Sequence, residues 1–143
     1  LVGWSLGGVI AREAARLCAP ALYVVATYGT PAVGGPTYTQ AARSWGEAAC
    51  RELTERTRRL DLEQPIAVPL AAIFSRHDEV VSWGAAIDRA SRHVTHFEVD
   101  SPHVAMGLDP AVWCVICAEL ARHAPAGALT EAEARASTVP RAG

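Results

Sequence analysis

The sequence predicts an α/β domain built on a mainly parallel sheet, and three observations carry that reading. Short apolar runs rich in β-branched and aromatic residues, ALYVVAT (21–27) and LAAIF (70–74), have the character of strands covered on both faces. Longer stretches between them carry apolar residues at helical spacing. Gly29-Thr30-Pro31, Gly34-Gly35-Pro36, Pro65 and Pro69 separate the two kinds of segment as turns and breaks. Strands that alternate with amphipathic helices are joined by right-handed crossovers, which aligns the strands.

Each element follows in order. Leu1-Val2-Gly3 reads as a strand end, and Leu6 to Leu17 as a helix with Ile10, Ala14 and Leu17 on its apolar side and Arg12, Glu13 and Arg16 elsewhere. Pro20 closes that helix before the 21–27 strand. From Thr37 to about Leu62 the pattern is helical, one long helix or two short ones, with Ala41, Trp45, Ala49, Leu53 and Leu60 along one face. On another face Glu52/Arg56 and Glu55/Arg59 stand at i,i+4 spacing. After the 70–74 strand come a loop at 75–78, a short helix over Ser82–Ala90 and an alternating strand, HVTHFEV (93–99), with one wetter face. Asp109-Pro110 is a helix start, with a capping carboxylate and a proline suited to the first turn. That helix runs to about His123. Residues 124–143 lack an apolar face and are expected to form a frayed tail, with a short helix allowed at Glu131–Arg135.

Composition narrows the function classes. Of 143 residues, 50% are hydrophobic and 20% charged, as in globular chains able to bury a core. The 13 basic and 15 acidic residues give a net charge of -2 without long like-sign blocks, which favours neither nucleic acid nor an anionic membrane as partner. No run of apolar residues is long enough for an integral membrane segment. Cys114 and Cys117 form a C-x-x-C inside a predicted helix, where small buried apolar side chains are expected rather than redox or metal chemistry. His, Cys and Asp lack metal-ligand spacing, so neither a metal nor an organic cofactor is expected.

The chemistry lies in Gly3-Trp4-Ser5-Leu6-Gly7, a G-x-S-x-G placed between a strand end and a helix start. A serine there sits on a tight turn, and its neighbours two residues either side must be small so that strand and helix can approach. The N–H groups of Leu6 and Gly7 open the helix and point where negative charge would develop on a substrate oxygen, making Leu6 a candidate oxyanion-hole donor. A serine nucleophile needs a histidine to take its proton and a carboxylate to hold that histidine. The order Ser, acid, His is met by Asp78 or Glu79 beyond the 70–74 strand and by His103 in the loop after the last strand. Of the five histidines, His103 alone has both the order and the loop setting, with His77 a minor competitor. Trp4, Trp83 and Trp113 are expected to be packing residues.

The runs GWSLGGVIARE (3–13), YGTP (28–31), IFSRHDEVVSW (73–83) and SPHVAMGLDP (101–110) resemble, in that order, blocks of bacterial lipase-like and esterase-like members of the α/β-hydrolase superfamily. The resemblance covers residues 1 to about 123. It implies a partial α/β-hydrolase fold, the C-terminal part of a larger domain, with Ser5, Asp78 and His103 as catalytic triad. The activity it implies is that of a serine hydrolase acting on small-molecule or lipid esters. Acyl transfer on the same fold and a non-catalytic module are the alternatives. The resemblance favours Asp78 over Glu79, which stands where such blocks often have glycine; Ser101-Pro102 likewise replaces a frequent Gly-Ser. A second oxyanion donor would come from a loop upstream of Leu1, and the 37–62 segment falls where related folds insert a lid or cap. A sheet lacking its first strands exposes an apolar edge, so self-association of the chain is expected.

Overall fold

The computed structural model describes residues 1–40 and 42–127. Ala41 and the sequence-predicted tail beyond 127, with its short helix at 131–135, lie outside the described residues. Four parallel strands form one sheet in the order β1 (Val2–Trp4), β2 (Val25–Tyr28), β3 (Leu70–Phe74), β4 (Val94–Glu98). The register pairs Gly3 with Thr27, Ala26 with Ala71 and Ile73 with Phe97. Because all four strands run the same way, the loops after them emerge at one edge, which is what allows residues 5, 29, 78 and 103 to meet.

The sheet is covered on both faces, and alternate residues of the central strands divide between two cores. Ala26, Tyr28, Ala71 and Ile73 pack with Val99, Met106, Val112 and Ile116 beneath α4 (Pro110–His123). Val25, Leu70 and Ala72 pack on the other face with Ile66, Val68 and with Ala11 and Ala15 of α1 (Leu6–Cys18). Asp109 caps α4 as expected, accepting the Ala111 N–H at 2.8 Å, with Pro110 in the first turn.

Several sequence expectations are corrected. In α1 the face against the sheet is Gly8, Ala11, Arg12 and Ala15, whereas Ile10 and Leu17 are 63% and 83% exposed. Small side chains let the helix lie close to the strands, and that closeness outweighs the larger apolar residues. The 21–27 strand begins only at Val25, because Ala19–Ala21 forms a 3-10 turn and the Leu22 N–H closes it on Ala19 O at 3.2 Å. The 37–62 stretch takes the two-helix alternative, α2 (Ala42–Trp45) and α3 (Glu47–Glu63), parted at Gly46, whose φ is 78°. On α3 the ion pairs are Glu47–Arg51 and Glu55–Arg58 rather than those anticipated, and Cys50 is its buried residue. The helix expected at 82–90 is a 3-10 turn, Trp83–Ala85. Beyond it Asp88 Oδ1 takes the N–H groups of Ala90 and Ser91 at 2.8 and 3.0 Å, supplying a turn in place of a helix. Cys114 and Cys117 are exposed on α4, not buried.

One polar cluster ties the first helix to distant parts of the chain. Arg12, 3% exposed, pairs with Asp88 and lies 3.4 Å from Asp61 of α3. Arg16 pairs with Asp61 and donates to the carbonyls of Leu60 and Gln64, satisfying the C-terminal end of α3. No helix among the described residues is long and apolar enough to cross a membrane.

Candidate active site

Ser5 stands between β1 and α1 with φ 52° and ψ -122°, and among the described residues no other non-glycine has a positive φ. Such a backbone costs of the order of 1–3 kcal/mol and persists only where its surroundings enforce it. Here the Ser5 N–H donates to Tyr28 O of the neighbouring strand at 3.0 Å, and the Gly8 N–H donates to Ser5 O at 3.0 Å. The glycines do the rest. A Cβ on Gly3 would lie 2.6 Å from Gly8 Cα, and one on Gly8 would run into the Thr30 side chain.

Ser5, Asp78 and His103, the triad that the resemblance implies, are brought together. His103 Nε2 lies 3.1 Å from Ser5 Oγ and Nδ1 lies 2.8 Å from Asp78 Oδ2. Asp78 is fixed from its other oxygen, since Oδ1 accepts the N–H groups of Val80 and Val81 at 2.9 and 2.7 Å. The side chains of His103 and Asp78 are 5% and 2% exposed, so this contact is shielded from water. An Nδ1–H donated to the carboxylate leaves Nε2 as a free base toward the hydroxyl, the tautomer that proton abstraction needs.

Glu79 does not reach the imidazole ring. Its Oε2 accepts the backbone N–H of His103 at 3.2 Å. The donors around this carboxylate, first the N–H of Glu79 itself and then that of His103, hold it below the usual carboxylate range. His77 points away and pairs with Asp100 at the surface. Leu6 opens α1, so its N–H is one of the four without an intrahelical acceptor, beside Ser5.

Sequence reasoning missed three supports of this site. Trp4, expected as a packing residue, is not buried beneath the Ser5 turn. It is 39% exposed, and its ring centroid lies 5.4 Å from that of His103. Gly29, with φ 52°, leaves room for the imidazole, because a Cβ there would lie 3.0 Å from His103 Nδ1. Ser75, 1% exposed, accepts at its Oγ the N–H of His77 at 3.0 Å and that of Ser101 at 3.3 Å, joining the two loops that carry Asp78 and His103. The signals available were the Y-G-T-P break for Gly29 and the strand-end position of Ser75. Trp83 lies tilted against Phe74 and under the Arg76 guanidinium, and Trp113 donates to Gly107 O, so both are half-exposed packing residues.

A cavity of about 210 Å³ adjoins Ser5. Leu6, Val9, Pro31, Pro36, Val80 and Val81 make its walls apolar, and Trp45, Leu53 and Thr57 close it from the α2–α3 side. Among the described residues no group of three His, Cys, Asp or Glu side chains could hold a metal ion.

No family model matches the chain, and no curated protein matches its sequence. Solved structures do. The mouse alpha/beta hydrolase domain-containing protein 10 is similar at 21% identity and a TM-score of 0.59, over 82% of this chain and 58% of that one. A membrane phospholipase A described as a bacterial virulence factor is similar at 18% identity and a TM-score of 0.60, over 87% and 57%. The esterase Pf2001 of Pyrococcus furiosus is similar at 16% identity and a TM-score of 0.59, over 85% and 52%. The chain thus spans between half and three-fifths of the length of these structures. With four parallel strands clad on both faces and this likeness, the chain has the fold of the α/β hydrolases, of which it carries the C-terminal part.

Proposed function

We propose that this chain supplies the catalytic residues of a serine hydrolase that cleaves carboxylic ester bonds. The observation that carries the reading is the continuous contact from Ser5 Oγ through the imidazole of His103 to the carboxylate of Asp78. Ser5 Oγ attacks the ester carbonyl carbon while His103 Nε2 takes its proton. The imidazolium so formed is held by the Asp78 carboxylate, with the Trp4 ring tilted beside it. The carbonyl oxygen becomes an oxyanion, toward which the Leu6 N–H and the α1 dipole are directed. Nε2–H then protonates the departing alkoxide, leaving an acyl group on Ser5. Water, deprotonated by the same nitrogen, attacks that acyl carbon; the bond to Ser5 Oγ then breaks, Oγ takes the proton back from Nε2, and the acid leaves. The apolar cavity beside Ser5 suits the hydrocarbon part of the ester. On the same reading the α2–α3 segment acts as a wall or cap of that cavity.

A fluorophosphonate probe, which reacts only with an activated serine, tests this. The protein is expected to be labelled and Ser5→Ala not to be, with hydrolysis of p-nitrophenyl esters lost in parallel. Labelling unchanged by Ser5→Ala removes Ser5 as the nucleophile.

A further inference from the structure

We propose that Glu79 is a positioning residue for His103: its carboxylate holds the main chain of the histidine loop while the adjacent Asp78 holds the imidazole. The inference rests on the serine-hydrolase reading. Asp78 Oδ1 is occupied by the Val80 and Val81 N–H groups, which leaves Oδ2 for Nδ1 of His103. That single bond orients a ring; it does not set where the backbone carrying the ring stands. The rest of the loop is fastened away from residue 103, by the Ser101 N–H to Ser75 Oγ and by the Ala105 and Met106 N–H groups to Pro102 O. At residue 103 itself the amide is held by Glu79 Oε2 at 3.2 Å. Glu79 is in turn anchored, because its carbonyl accepts Gln40 Nε2 at 2.6 Å. Two consecutive carboxylates therefore grip one histidine at two points, ring and backbone. Sequence spacing alone leaves these residues as rivals for one role, and the geometry gives them different ones.

The second grip matters because proton transfer is sensitive to placement, and displacements near 1 Å can cost about 100-fold in rate. Around the imidazole stand Ser5, Trp4 and Gly29, none charged, and the carboxylate of Asp78. The exposed His77–Asp100 pair sits at the loop's start. Glu79 reaches the histidine through its backbone amide alone, so its part is placement of the ring.

Glu79 is exposed, so its substitution leaves the core intact. Glu79→Gln keeps an acceptor oxygen and loses the charge, while Glu79→Ala loses both. In Glu79→Ala, kcat for a p-nitrophenyl ester is expected to fall roughly tenfold with KM little changed, and the His103 amide to exchange faster by NMR. In Glu79→Gln, which keeps an acceptor oxygen for the His103 amide, most of kcat and the slow amide exchange should return. Unchanged kcat and exchange in Glu79→Ala, or no recovery of either in Glu79→Gln, overturns the proposal. Probe labelling of Ser5→Ala run alongside separates the two failures. Labelling lost there with indifferent Glu79 variants leaves the hydrolase reading standing; labelling retained removes that reading, and the amide exchange still decides whether Glu79 holds the loop.

Discussion

Replacing Asp88 by asparagine tests how the first helix is tied to the body of the domain. Burial alone would raise the Asp88 carboxyl, but the Arg12 guanidinium and the Ser91 hydroxyl and N–H outweigh it and hold the group at about 2, against 3.8 unperturbed. At about 1.4 kcal/mol per tenfold change, that depression corresponds to about 2 kcal/mol of stability when the carboxylate is ionised. Asparagine forfeits this and leaves Arg12, 3% exposed, with only the more distant Asp61 at 3.4 Å. Breaking a buried pair from one side costs about 3–5 kcal/mol, and the remaining Asp61 contact argues for the lower end, about 3. The sign follows from a lowered carboxyl: its contribution is whole above about pH 4 and drains away as pH falls toward about 2. Urea unfolding of both proteins should therefore show a gap of about 3 kcal/mol near neutral pH that narrows by roughly 1 kcal/mol at about pH 3. A gap below about 1 kcal/mol, or one that does not narrow with acid, would refute the reasoning.

Two further substitutions probe the close approaches at the sheet edge. Gly3→Ala would set a Cβ 2.6 Å from Gly8 Cα, backbone that cannot move aside while Ser5 stays in its turn. Probe labelling of Ser5 should fall at least about tenfold and thermal stability drop by an amount typical of overpacking, about 1–3 kcal/mol; normal labelling would show that strand and helix have room. Gly29→Ala meets His103 Nδ1 at 3.0 Å on a backbone at φ 52°, so kcat for an ester should fall more steeply than thermal stability does. A variant that unfolds readily but keeps kcat when folded would argue against it.

How much of this was legible beforehand depended on whether the deciding physics was local. The G-x-S-x-G turn announces itself because strand, serine, small neighbours and helix are consecutive, and chain order then reaches the Asp78–Glu79 pair and His103, 98 residues from Ser5. Asp78 and Glu79 could not be separated on spacing, since what distinguishes them is that Val80 and Val81 turn one carboxylate inward. Trp4 reads as packing because an aromatic beside a buried strand usually is; its place over His103 comes from a loop 99 residues later. The same holds for Arg12, which any helical pattern assigns to solvent and which a carboxylate 76 residues away draws inward. Ile10 and Leu17 mislead for another reason: apolar periodicity weighs size, while this helix is seated by its smallest side chains.

The Ser75 hydroxyl sits below the level at which a substrate could touch the protein, yet it receives one amide from each of the two loops above it. The interval between the carboxylate of residue 78 and the imidazole of residue 103 is therefore tied, besides the grip of Glu79, to an oxygen in the floor of the domain rather than to the mouth of the cavity. Residues around that mouth can change, and with them what is admitted, without retuning the spacing underneath.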